Sequence, residues 1–228
     1  HPLKVRMIAE AKVKTDRIDA EALAQLLRAD LIPMAHIPTR ASRAIKELIR
    51  QRVFLVRMRT RLKNRMHVLL DRLHVPLPSV TDLFGKQGMG YLRRLQVEGT
   101  DGEIIREDLE LLEVLNRLIK ESEREVNNVL RDDERMERLQ TIPGVGAILG
   151  AVLALEIDDV RRFASPAKLA SYAGLVPSTF ASGGKTYHGR LIKMSNKWLR
   201  WAFIEAAWVS IRSSPYCRSC FERVKRRK

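Results

Sequence analysis

Apolar residues at three-four spacing recur along most of the chain and predict helices almost throughout. In residues 15–31, TDRIDAEALAQLLRADL, the positions Ala20, Leu23, Ala24, Leu27 and Leu31 form one stripe, with Thr15 or Asp16 as the N-cap. Pro33 and Pro38 bracket a connector. From Ser42 to Leu73 there is no Gly or Pro, and Ile45, Leu48, Leu55, Leu62, Met66, Leu69 and Leu73 follow heptad-like spacing, interrupted by Arg52 and Arg59. A helix of about 30 residues there would be about 45 Å long. Pro76 and Pro78 end it, and residues 79–100, with Gly85, Gly88, Gly90 and Gly99, read as a loop holding one helical turn. Asp101 is expected to cap a second long helix that buries Ile105, Leu112, Leu115, Ile119, Val126 and Val129. Two long helices joined by a loop predict an antiparallel coiled-coil hairpin.

The pattern then changes. Residues 139–157, LQTIPGVGAILGAVLALEI, run from a Pro-Gly-Val-Gly turn into a small-residue helix that reads as uncharged and buried. Ser165 before Pro166 marks a helix start, and Gly174 its end. Residues 177–195 read as loop or a short hairpin. Asn196 opens another helix, with Trp201, Ile204, Trp208 and Ile211 expected on one side. The tryptophans at 198, 201 and 208 are expected in the core. No run of strands suggests a large sheet, so the fold class is mainly α. The expected domains are 1–38, 39–135 and 136–228, the last a compact helical domain.

Composition adds a partner. The 228 residues are 45% hydrophobic and 30% charged, which describes a folded chain, and no apolar run has the length of a membrane span. Two cysteines exclude a disulfide scaffold and fit a reducing compartment. The net charge is +15, so a polyanion is the expected partner, nucleic acid first. The charge is in blocks. Residues 96–137 hold 6 basic and 14 acidic side chains, whereas residues 138–228 hold 16 and 5. The acidic helix should therefore attract the basic one before it.

Three groups of residues could carry chemistry. Asp16 and Asp19 stand three apart, so on a helix their carboxylates share a face and suit Mg²⁺; equally, they are first-turn acids facing the helix dipole. The turn Ile142–Gly146 has the form of a helix-hairpin-helix element, in which Gly144 and Gly146 let a phosphate approach the backbone; equally, it is a tight turn between helices. Ser182-Gly183-Gly184-Lys185 presents a serine without steric cover, followed by His188, Arg190, Lys193, Lys197 and Arg200. A hydroxyl among cations can attack a phosphoryl group, or the segment can be a loop that only contacts phosphate. Walker spacing is absent, which argues against a nucleotide site. Cys217 and Cys220 lack further zinc ligands by spacing, as do His36, His67, His74 and His188.

Three segments also carry a resemblance: VKTDRIDAEALAQLLR (13–28), LQTIPGVGAILGAVLALEI (139–157) and FASPAKLASYAGLVPSTFASGGKTYHGRLIKMSNKWLRWAFIEAAW (163–208). Together they resemble the DEDD-type transposases of bacterial insertion sequences, the bridge-RNA-guided serine recombinases related to pilin-gene invertases. The resemblance implies that Asp16 and Asp19 are the last two acids of a RuvC-like DEDD set that holds Mg²⁺. It implies that Ser182 attacks the DNA backbone, with Gly144, Gly146, Lys185, Arg190, Lys193, Lys197 and Arg200 toward nucleic acid. It implies DNA and a guide RNA as partners, assembly of copies through the coiled coil, and a cytoplasmic, nucleoid-associated protein. The family's first Asp and its Glu lie upstream of TDRIDA and have no match here, so the chain reads as a fragment lacking most of the RuvC-like domain and expected to be inactive alone. The expected function is DNA cutting and rejoining in transposition. The alternative is a non-enzymatic helical nucleic-acid-binding protein; a purely structural coiled coil leaves the basic C-terminal block without a purpose.

Overall fold

The long Gly- and Pro-free stretches become long helices. The structure is a computed structural model of the chain and describes residues 15–32, 35–192 and 194–226. Among these residues it is mainly α, with nine α-helices and one two-stranded sheet. The chain divides into two compact units, His1–Thr39 and Arg40–Lys228.

The first unit contributes helix α1 (Asp16–Arg28), capped by Thr15, whose Oγ1 accepts from the Ile18 amide at 3.3 Å. Of the expected stripe, Leu23, Leu27 and Leu31 are exposed, and only Leu26 on this helix is buried. A single helix has no second layer against which to bury its stripe, and the described residues of this unit contain none.

In the second unit, α2 (Arg40–Arg72) and α4 (Gly99–Val129) lie antiparallel. Their register can be read from side-chain bonds between basic α2 and acidic α4. Arg52 reaches Glu123 (2.9 Å), Arg59 reaches Asn116 (3.1 Å), Arg65 reaches Asp108 (2.9 Å) and Arg72 reaches Asp101 (2.8 Å). Numbers rise on one helix as they fall on the other. The arginines that break the hydrophobic seam are thus rungs of a polar ladder, Arg52 on a carboxylate and Arg59 on an amide. Asp101 is spent on Arg72 rather than on capping, and the helix starts earlier, at Gly99.

The glycine-rich connector holds more than the single expected turn. Helix α3 (Lys86–Arg94) closes the tip of the hairpin, where Leu83, Met89 and Leu92 join Leu62, Met66, Leu69, Leu70, Ile105, Leu109 and Leu112 in one core. Gly88 makes this possible, because a side chain there would overlap the Leu83 backbone. Val129, expected inside, is exposed.

A second core lies at the base. There α5 (Glu134–Gln140) leads into α6 (Ala147–Ile157), a helix buried from Gly150 to Glu156 that packs against α2, α4 and α5. Helix α7 (Pro166–Tyr172) is capped by Ser165 with Pro166 in its first turn, and the chain leaves it through Gly174 at φ 70°. Helices α8 (Lys197–Ser213) and α9 (Pro215–Lys225) complete the unit. The fully buried residues of α8 are Leu199, Ala202, Ala206 and Ser210, and of the three tryptophans expected in the core Trp198 and Trp201 are half-buried against it while Trp208 is not. Small residues let α8 approach the Gly144 turn closely. Ile204 and Trp208 are left exposed, and the Trp208 ring lies 6.2 Å from that of Phe221 on α9.

Candidate functional site

Thr, Phe and Tyr on either side of Gly-Gly build a hairpin, the second of the two forms expected for residues 177–195. Strand β1 (Pro177–Ser182) pairs antiparallel with β2 (Lys185–Leu191), placing Ser182 opposite Lys185, Phe180 opposite Tyr187 and Thr179 opposite His188. Gly183 (φ 57°) and Gly184 (φ 75°) form the two-residue turn, which needs left-handed backbone at both positions. Every strand residue except Ser178 is exposed. Ser182 therefore sits at the tip of a projecting hairpin, beside a lysine. Among the described residues no hydrogen bond or ion pair reaches its hydroxyl. His188 is engaged with Thr179, Nδ1 to Oγ1 at 3.2 Å, on the other face of the hairpin.

The roots of the hairpin are held tightly. The Ile192 amide donates to the Val176 carbonyl at 3.2 Å. Arg200 donates through Nη2 to the Ile192 carbonyl and, at 2.7 Å, to Ser195 Oγ. Any side chain at Gly174 would overlap both Arg200 and Ser195. Through Nη2 this guanidinium holds the root of the hairpin, while its buried Nε has no hydrogen-bond partner among the described residues.

One step on, Asn196 caps α8, accepting from the Trp198 and Leu199 amides at 3.0 and 3.1 Å, while its Nδ2 donates to Glu156 at 2.9 Å. Glu156 also pairs with Lys46 Nζ at 3.3 Å and stands 3.7 Å from Arg50 Nη2. Both Lys46 and Glu156 are buried. The helix read from sequence as uncharged thus carries the acid that ties α2, α6 and the start of α8 together. Its signal was a lone Glu closing an apolar helix, matched by a Lys inside the apolar pattern of α2.

The two turn glycines differ. Gly144 packs against α8, where a Cβ would overlap the Ala206 carbonyl, so the left-handed backbone (φ 89°) and the helix contact both call for glycine there. Gly146 is the N-cap of α6, exposed with open space around it. Lys185 and Arg190 on β2 and Lys197 at the start of α8 are exposed, and Lys193 lies outside the described residues.

Asp16 and Asp19 occupy the first turn of α1, in the other unit. Among the described residues no group of three or more His, Cys, Asp or Glu side chains is gathered that would hold a metal. Two carboxylates on one helix face suit a Mg²⁺ that takes its remaining oxygens from water and substrate phosphate.

Residues 136–222 match the family model described as transposase of the IS116/IS110/IS902 family, and residues 1–75 match the DEDD_Tnp_IS110 transposase model. The chain is 30% identical over 210 residues to the transposase for insertion sequence element IS1328 of Yersinia enterocolitica, covering 89% of this chain and 60% of that protein. It is 29% identical over 224 residues to a probable family 20 transposase of Pseudomonas aeruginosa, covering 91% and 64%. It is 27% identical over 202 residues to the transposase for insertion sequence element IS1111A of Coxiella burnetii, covering 87% and 55%. The chain thus spans about three fifths of the length of these curated relatives.

Proposed function

We propose that this chain, matched over residues 1–75 and 136–222 by two models of IS110-type transposases, acts as a member of that family and cuts and rejoins DNA with Ser182 as the attacking group. The observation that carries this reading is the uncovered Ser182 hydroxyl on the Gly-Gly turn, opposite Lys185, within the matched C-terminal stretch. In the proposed step Ser182 Oγ attacks the phosphorus of a strand. The new O–P bond forms as the bond to one deoxyribose oxygen breaks, the serine proton passes to water, and the freed strand ends in a hydroxyl. Attack by a strand hydroxyl on the phosphoserine reverses these bonds and rejoins DNA. Lys185 and Arg190 neutralise phosphate charge, as does Lys197, while Arg200 and Asn196 keep the hairpin in place.

Asp16 and Asp19 are the residues that would hold a divalent cation, which supplies positive charge to a phosphoryl oxygen. The amides that open α6 after the exposed Gly146 are offered to a phosphate of the same backbone. A guide RNA belongs to this reading, since base pairing would then carry sequence specificity. Self-association through the α2–α4 hairpin also belongs to it. The support is Leu111, Val114 and Leu118 exposed at three-four spacing on the outer face of α4.

One observation favours a second reading, a non-enzymatic nucleic-acid binder: among the described residues nothing is hydrogen-bonded to Ser182 as a base. Strand cleavage decides between them. In a chain extended to the length of its relatives, Ser182→Ala should abolish cleavage and leave DNA affinity within about twofold, because a hydroxyl adds one modest hydrogen bond to binding. Normal cleavage by Ser182→Ala overturns the proposal, and cleavage absent from the unaltered protein favours the binder.

A further inference from the structure

Resting on that reading, we propose that Phe180 and Tyr187 form a stacking platform for unpaired bases of the DNA strand attacked by Ser182. Alternate residues of a strand share a face, and directly paired residues lie on the same side. Ser182, Lys185, Phe180 and Tyr187 therefore occupy one face of the hairpin, and Thr179, Ala181, Thr186 and His188 the other. The two faces are built differently. The second is polar, with Thr179 bonded to His188. The first carries two rings in direct opposition, 65% and 63% exposed.

Phe180 is also shaped for such a role. Its Cε2 lies 3.4 Å from where a Cβ of Gly189 would be, so the ring leans across the neighbouring strand at a position without a side chain. Single exposed hydrophobics are ordinary on protein surfaces, but a paired aromatic surface on a projecting hairpin is not. The surroundings select the occupant. The hairpin carries Lys185, His188 and Arg190 and no acid, and residues 180–228 hold 12 basic and 2 acidic side chains. Aromatic rings beside cations stack bases without regard to sequence. Phe180 is two residues from Ser182, roughly 7 Å along the strand. A base stacked there belongs to a nucleotide adjoining the phosphate at the serine. Stacking needs bases out of the duplex, so the platform would hold the strand open where it is cut.

The rings also pair across the hairpin and support it, so the test keeps β-forming bulk at both positions. Phe180→Ile and Tyr187→Ile preserve strand propensity and remove the π-face, whereas Phe180→Trp keeps it. The 228-residue chain is titrated with three probes of one sequence: a paired DNA duplex, the same duplex with a short unpaired bubble, and single-stranded RNA. The expected result is that the bubble binds at least tenfold more tightly than the duplex. Each isoleucine variant should cut that preference to threefold or less with duplex affinity within twofold, and Phe180→Trp should keep it. Equal affinity for bubble and duplex, a preference indifferent to both rings, or tighter binding to the RNA than to the bubble would each overturn the proposal. Binding is read without chemistry, so Ser182→Ala should keep the bubble preference. Cleavage by Ser182→Ala would then remove the nucleophile and leave the platform standing.

Discussion

Glu156 shows how one side chain can carry an assembly that the sequence pattern hides. Its carboxylate is shared by Lys46, Asn196 and, at longer range, Arg50, and Asn196 in turn caps the helix that anchors the serine hairpin. A buried pair contributes little against an apolar replacement, but losing one partner strands the other without solvent. Glu156→Gln, which leaves Lys46 as a buried uncompensated cation, should cost about 3–5 kcal/mol in denaturant unfolding. The double variant Lys46→Met with Glu156→Leu should recover most of that loss. Equal stability of Glu156→Gln and the unaltered chain would show that the pair is not buried in solution. Gly144 teaches a related lesson. Sequence offered a phosphate as the reason for glycine, and the helix packed on it supplies another.

At the scale of elements, the two long helices were legible because a heptad pattern unbroken by Gly or Pro has few other outcomes. Their ladder was half legible: the opposite charges could be counted, but not which arginine meets which acid. The cost is concentrated at Asp108. It is buried on α4, with Arg65 on one oxygen and no hydrogen-bond partner on the other among the described residues. Burial pushes its carboxyl above the usual carboxylate range, against the opposing pull of Arg65. The folded chain thus keeps this proton to higher pH than the unfolded chain does. Stability contributed here falls as pH rises from about 4 through the folded value. Asp108→Asn should remove that decline, so unfolding curves of the two proteins should diverge with pH over this window; parallel pH profiles would refute it. For the exposed α4 stripe, light scattering should show mass rising with concentration, and Leu118→Glu should reduce it; a strict monomer at high concentration would remove self-association from the account. Two elements were misread for a common reason. Helix α3 depends on Gly88 fitting against Leu83, and the inner face of α8 on small residues meeting a glycine turn. Both are matters of close approach, which hydrophobic periodicity does not record.

For the molecule as a whole, the site divides into what composition indicated and what only the fold supplied. The basic C-terminal block and the Ser-Gly-Gly-Lys segment were visible along the chain. A short hairpin was one of the two forms the chain offered there; that Arg200 is turned to its root and an aromatic face lies beside the serine was not visible. The surplus of positive charge should make DNA binding steeply salt-dependent, each neutralised phosphate adding about 0.9 to the slope of log affinity against log salt. Lys185→Glu or Lys197→Glu should weaken binding to unrelated sequences alike and flatten that slope; affinity indifferent to salt would exclude a phosphate-tracking surface. Attack by Ser182 on the DNA backbone has a more direct readout. A chain extended to the length of its relatives is incubated with a nicked insertion-sequence end, denatured and digested, and the peptide bound to DNA is sequenced by mass spectrometry. A denaturant-resistant adduct is expected on the peptide containing Ser182, absent from Ser182→Ala. An adduct on another residue, or strand cleavage undiminished in Ser182→Ala, would contradict it.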